Sequence, residues 1–434
     1  MEGSGILRLY EIEYSDLMLL SSSSSSCSHY QEKIIMENLG PLGPGLLSVT
    51  NVPDASILRR KLLPLARKLA LLSREDRQRI LRDHNLGSDV PLKNPDRNVS
   101  SFAMQLKYDQ GLECIGRKPS HKYENMDGIS DFEDDGFDNL EHMFKALGFC
   151  MMEIALCLAR ICDRDIGGNE LEQSLLESCA AKGHLIHYHS MVDNIILREA
   201  GQRKGTSKSN NHARRKEILL KSNNLETNGN EVRSSEIHAN LWQQWHYDYG
   251  IFTVLTDPMF LTSSRQAAEN SEVSVSSDQE CTSPSGHSYL QVFHPNKNKV
   301  LMVKSSPESF IVQVGESADI LSKGNLRSTL HCVQRPARLE NLSRETFVVF
   351  LQPAWSKTFS ISDYPMEHYN PSFQPLEQAE ENNFSDQGQN ALTLEIQKIV
   401  PPLSARLKDG MTFAEFSRET TKQYYGGSGF QSIK

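Results

Sequence analysis

The spacing of apolar residues changes once along the chain, near Gly183, and that change restricts the architecture more than any other feature. Before it, steps of three and four prevail. Leu58, Leu62, Leu65, Leu69 and Leu72 form one stripe; Leu140, Phe144, Leu147, Met151, Ile154, Leu158 and Ile161 form a longer one. A turn of 3.6 residues brings such positions into line, so each stripe predicts the buried face of a helix. After Gly183 the apolar residues alternate, in runs at 184–190, 250–256, 288–293, 299–303, 309–314 and 344–351. Alternation sends every second side chain to the same face of a sheet. Helices followed by many short strands predict an α+β chain with a mainly β core, an antiparallel sandwich or jelly roll with supporting helices.

The remaining segments fit around that frame. "ILRLYEIEY" reads as a first strand and 45–53 as a second, ended by Pro53. Pro64 should kink or divide the leucine-striped helix, since proline lacks the N–H that the helix needs. Ser73 with Asp76 resembles the capped start of another helix, running toward Gly87. Residues 170–183 read as a helix closed by Gly183. Asp131, Glu133 and Asp135 resemble part of a calcium loop, but its twelfth position would be His142 where a glutamate is required, so a solvated loop is expected. Two polar inserts, 198–235 and 263–286, read as surface loops, the first with a basic cluster from Arg198 to Lys221. The expected organisation is an N-terminal region (1–135), supporting helices (136–183), the β core (184–360) and a C-terminal extension with a final helix (361–434).

Composition narrows the function classes. The 434 residues are 38% hydrophobic, enough for a sizeable core, and the net charge of −9 argues against general affinity for nucleic acid or anionic membrane. Eight cysteines without a C-x-x-C pair suit a reduced compartment. The most apolar run carries Glu153 and Arg160, too charged for a membrane span. Glu2, Glu11, Glu13 and Asp16 oppose a transit peptide, leaving a cytoplasmic monomer as the expectation, with nuclear entry through the basic loop as an alternative.

The chemistry concentrates in "WQQWHYDYG". His246 and Asp248 stand two apart and would share one face of a strand. This is the only H-x-[DE] among fourteen histidines, although about two are expected by chance. Iron(II) in oxygenases is commonly held by two histidines and one carboxylate on one side, and His331, which ends a strand–turn–strand run, is the best third ligand. Arg344 and Thr346 also stand two apart, on an otherwise apolar strand. An arginine turned into an apolar barrel calls for an anion, and its fork beside a hydroxyl suits a carboxylate; a rim salt bridge is the plainer alternative.

Taken together, these residues resemble the 2-oxoglutarate/Fe(II)-dependent dioxygenases of the isopenicillin N synthase-like, plant-type superfamily. The resemblance covers most of the chain and implies a double-stranded β-helix. It implies Fe(II) bound by His246, Asp248 and His331, and 2-oxoglutarate held at its distal carboxylate by Arg344 and Thr346. The implied activity is hydroxylation, desaturation or demethylation of a small organic substrate, releasing succinate and CO₂. Two intervals are longer than the family's, from Asp248 to His331 and from His331 to Arg344. The family's Asn-x-Tyr-Pro segment stands here as His187-Tyr188-His189-Ser190, which places His189 where the tyrosine touches the co-substrate. His184, His187 and His189 would alternatively form a second metal cluster. The rival functions are a non-catalytic metal- or ligand-binding protein on the same fold and a cupin-like zinc hydrolase.

Overall fold

The structure is a computed structural model describing residues 5–22, 29–88, 98–107, 136–202, 241–262, 279–337, 339–361, 364, 396 and 399–425. Its centre is a pair of sheets. The five-stranded sheet runs Gly5–Arg8, Lys299–Lys304, Leu290–His294, His331–Gln334, Leu241–His246. The nine-stranded sheet runs Glu11–Glu13, Leu46–Thr50, Phe310–Val314, Phe252–Thr256, Leu342–Leu351, Ala180–Tyr188, Val99–Lys107, with Met259–Thr262 also on Leu342–Leu351 and Gln279–Cys281 beyond it. One apolar layer is shared between them, with Ile186, Leu255, Ile311 and Val348 from the larger sheet and Leu290, Val292, Val303 and Val333 from the smaller. The alternation seen in the sequence is the cause, because it gives every central strand an apolar face for this layer.

The two outer faces are covered differently. Phe102, Leu185, Phe347 and Val349 on the larger sheet pack on the helix Leu140–Ile166 and the helix Ala55–Leu71. Phe144 meets Phe347 edge-on at 4.7 Å. Gly183 marks the closest pass of helix over sheet, since a Cβ there would come within 2.6 Å of Phe144 Cε1. On the smaller sheet, Trp245, Phe293 and Cys332 are covered by Ile396 and Val400 from the C-terminal region.

Several expectations need correction. The first strand is two strands, Gly5–Arg8 and Glu11–Glu13, which enter different sheets. Pro64 does not divide its helix, which is continuous over Ala55–Leu71; burial of the leucine stripe outweighs the proline's cost of ~3 kcal/mol. The helix from Glu170 ends at Ser178, with Cys179 left-handed at φ 49°, and Gly183 belongs to the strand Ala180–Tyr188. Val99–Lys107 is a strand not expected from its sequence, paired along all nine residues with Ala180–Tyr188. Of the two inserts, 198–202 lie in the helix Met191–Gln202 and Gln279–Cys281 pairs with Met259–Thr262. The rest of both inserts, and Asp131, Glu133 and Asp135, lie outside the described residues. Among the described residues no helix is long and apolar enough to cross a membrane.

Candidate metal centre

His246 ends the edge strand of the smaller sheet, and His331 begins the neighbouring strand directly opposite it. Their ring centroids are 4.2 Å apart. Asp248 lies beyond the strand end, where Thr253 Oγ1 donates to its Oδ2 at 2.7 Å and its backbone oxygen accepts from Glu316 N at 2.8 Å. The pair thus converges through a strand end and a held turn, not through strand alternation. Nε2 of His246 is 3.7 Å from Asp248 Oδ1, and Nε2 of His331 is 3.8 Å from Asp248 Oδ2. Among the described residues this is the one group of three or more such side chains whose ligand atoms cluster, all within 4.8 Å.

The donor set fits a divalent transition metal. Metal bonds of ~2.1 Å place adjacent ligand atoms about 3 Å apart, so only a small tightening is needed. Backbone carbonyls fix both imidazole tautomers: His246 Nδ1 donates to Gln244 O at 2.7 Å and His331 Nδ1 to Thr329 O at 3.0 Å. A carbonyl only accepts, so each Nδ1 carries the proton and each Nε2 keeps an unprotonated lone pair. Burial, and then the neighbouring His331, lower His246 to about 4, which keeps it in the neutral, ligating form at neutral pH. Two imidazoles and one carboxylate on one side suit Fe(II).

The two residues expected to bind an anion lie on the face turned to the same layer. Arg344 faces inward from the strand Leu342–Leu351 and is 1% exposed. Its Nε donates to Ser288 O at 3.1 Å, and its guanidinium lies 5.1 Å over the ring of Tyr188. Tyr289, next to Ser288, takes φ 58°, a costly conformation for a bulky residue, at the turn that presents this carbonyl. Among the described residues no carboxylate forms an ion pair with Arg344, although Asp257 and Glu345 act on it electrostatically. Thr346 is on the same face, its Oγ1 3.3 Å from Thr256 Oγ1. Among the described residues the rim salt bridge is therefore not what this arginine makes.

His189 is the misplaced residue. Arg344 pairs across the strands with Tyr188, so Tyr188 shares its inward face. His187 and His189 turn to the other side, their rings 4.5 Å apart, and His189 Nε2 meets Ser100 Oγ at 2.8 Å. Alternation tells that 187 and 189 share a face; only the partner strand tells which. The tyrosine that faces inward is Tyr188, one place before the position that the resemblance implies. The second-cluster alternative also fails, since His184 pairs with Val348 on the inner face, opposite to His187. Gln243 was missed altogether. A bulge lets it face inward with His246, because two residues, Gln244 and Trp245, stand opposite Cys332 alone between the paired positions. Such an irregularity has no signature in the alternation of the sequence.

No protein-family model matches the chain, and no curated protein matches it. Among solved structures it is similar to a full-length Neurospora crassa protein in complex with alpha-KG and thymine, at 15% identity and a TM-score of 0.47, over 91% of this chain and 98% of that one. It is similar to a dioxygenase for auxin oxidation in rice, at 15% identity and a TM-score of 0.45, over 89% of this chain and 96% of that one. For JOX2 in complex with 2OG, Fe and JA the identity is 13% and the TM-score 0.45, over 82% of this chain and 78% of that one.

Proposed function

We propose that the chain is a non-haem Fe(II)- and 2-oxoglutarate-dependent oxygenase on a double-stranded β-helix, oxidising a small organic substrate with release of succinate and CO₂. One observation carries the reading: between the same two sheets, three converging ligand atoms are accompanied by a buried arginine that forms no ion pair with a carboxylate among the described residues. A zinc hydrolase or a simple metal-binding protein has no need of the second feature.

His246, Asp248 and His331 would hold the metal on one side, leaving its other side open to small ligands. Bound Fe(II) supplies redox chemistry toward dioxygen that side chains lack. Arg344 would take the distal carboxylate of 2-oxoglutarate through its two Nη groups, with Thr346 on the same face as a hydroxyl partner. Tyr188 lies against the guanidinium with its ring, and its hydroxyl, pushed up to about 12 by burial, stays protonated. Trp242, Leu290 and Val333 exclude water from the layer, which strengthens each of these polar contacts. The non-catalytic alternative rests on the 187–190 segment; with Tyr188 on the inner face that motive falls away.

The test is reconstitution with Fe(II) without oxygen, addition of 2-oxoglutarate, then oxygen. Succinate should form, and His246→Ala, Asp248→Ala and His331→Ala should each lose bound iron and succinate together while remaining folded. His84→Ala, outside the site, should bind iron normally. Equal iron content in the wild type and the His331 variant would sink the assignment.

A further inference from the structure

Gln243 lies between the metal ligands and the anion anchor. Its Nε2 is 2.9 Å from His246 Nε2, and its Oε1 accepts from the Tyr188 hydroxyl at 2.7 Å. The orientation of this carboxamide follows from its neighbours. Because His246 Nδ1 faces a carbonyl, His246 Nε2 offers a lone pair, so the group turned toward it must be the amide N–H₂ and not the amide oxygen. The tyrosine hydroxyl then meets the oxygen, as observed. Gln243 is thus locked at both ends, with its donors aimed at the corner where His246, Asp248 and His331 converge.

We propose that Gln243 positions the metal-proximal end of the co-substrate: its amide N–H donates to an oxygen of the 2-oxo acid bound beside the three ligands. This rests on the oxygenase reading above. A metal on His246 Nε2 claims the lone pair that the amide faces, and the amide then requires another acceptor within its short reach. The oxygens of a chelating 2-oxo acid are the acceptors that the metal brings to that corner. Tyr188 has two duties in consequence, its ring on the Arg344 guanidinium and its hydroxyl on the Gln243 oxygen, so both ends of the co-substrate are oriented through one side chain. The bulge between Gln243 and His246 is what makes this possible, because in a regular strand residues three apart face opposite ways.

The experiment measures binding, not turnover. Mn(II), which does not react with oxygen under these conditions, is loaded into the full-length wild type, Gln243→Met, Tyr188→Phe and Arg344→Met. Dissociation constants are taken by calorimetry for Mn(II), 2-oxoglutarate and pyruvate, which has the 2-oxo acid end but no distal carboxylate. Loss of one hydrogen bond to a charged group weakens binding by about ten-fold or more. Gln243→Met should therefore weaken both acids about ten-fold with Mn(II) affinity no lower than in the wild type. Arg344→Met should weaken 2-oxoglutarate and leave pyruvate unchanged. Tyr188→Phe keeps the ring on Arg344 but frees the amide, and should weaken both acids by a smaller factor; it carries the test if the Gln243 variant fails to fold. Unchanged binding of both acids by Gln243→Met, or by Tyr188→Phe in that event, would overturn the inference while leaving the oxygenase reading intact. A wild type that binds Mn(II) but neither acid would overturn both.

Discussion

Arg344 is the residue on which a structural and a functional explanation make opposite predictions. A buried guanidinium that served the fold would have a carboxylate partner, and removing it would leave that partner stranded, costing several kcal/mol. Arg344 has a carbonyl, an aromatic face and no ion pair among the described residues, and burial already pulls its pKa down. Arg344→Met should therefore leave the melting temperature of the ligand-free protein unchanged or raised. Its dissociation constant for 2-oxoglutarate should rise about 10- to 150-fold, the equivalent of ~1.5–3 kcal/mol for a charge-assisted bond. Calorimetry beside a thermal melt reads both; a large fall in melting temperature with unchanged affinity would return Arg344 to the fold. Five of the six site residues expected from sequence come together: the spacing of Arg344 and Thr346 encodes strand phase, whereas Asp248 reaches His246 through the turn beyond the strand end. His189 does not, because the face taken by 187 and 189 depends on the pairing of Tyr188 with Arg344, a contact 156 residues away in sequence.

At the scale of elements, the outer face of that same strand pair holds a buried charge network. His187 Nδ1 lies 2.9 Å from both oxygens of Glu345, and its Nε2 is 3.4 Å from Asp193 Oδ2. Arg67 donates twice to Asp193, and Ser190 and Ser343 donate to Asp193 and Glu345 respectively. The helices Ala55–Leu71 and Met191–Gln202 are thereby fastened to the sheet directly behind Tyr188 and Arg344. Burial opposes a charge on His187, but Glu345 and Asp193 outweigh it and carry the imidazole up from 6.5 to about 9. A folded-state pKa above the unfolded value means that stability is fully present below pH 6.5 and is lost as pH rises through about 9. The loss should reach about 3 kcal/mol between pH 6 and pH 10, and His187→Gln should flatten that slope. Denaturant unfolding of both proteins across this range measures it; parallel pH profiles would show that His187 is neutral in the fold. None of these partners was legible as a network, since alternation marks 187 and 345 only as non-apolar places on apolar strands. The strand Val99–Lys107 escaped for a related reason: Ser100 and Ser101, buried side by side, break the pattern that betrays other strands.

Across the whole molecule, the segment expected to be a mere extension closes the site from behind. Arg406, fully buried, donates to both oxygens of Glu316, through Nη1 at 2.7 Å, and also to Thr420 on the helix Phe413–Tyr425. Glu316 in turn gives its backbone N–H to the carbonyl of Asp248, and Ser317 Oγ donates to Tyr249 O at 2.6 Å. Tyr424 accepts from Tyr247 N, and Tyr249 packs near Phe413. The loop that carries Asp248 is thus tied to the C-terminal helices through the Arg406–Glu316 ion pair and hydrogen bonds of its backbone. No local pattern in the sequence links positions 248, 316 and 406, because the link exists only once three distant segments meet. Arg406→Met would leave the Glu316 carboxylate buried without its counter-charge, at a cost of about 3–5 kcal/mol. Iron content should fall with stability, because Asp248 is held through the same residue. Adding Glu316→Leu removes the stranded charge while keeping the backbone N–H that meets Asp248, so melting temperature and iron stoichiometry should recover together. Recovery of stability without recovery of iron would mean that the Glu316 side chain, not its backbone, sets the metal loop; unchanged values in the single variant would mean that the C-terminal helix does not hold the loop at all.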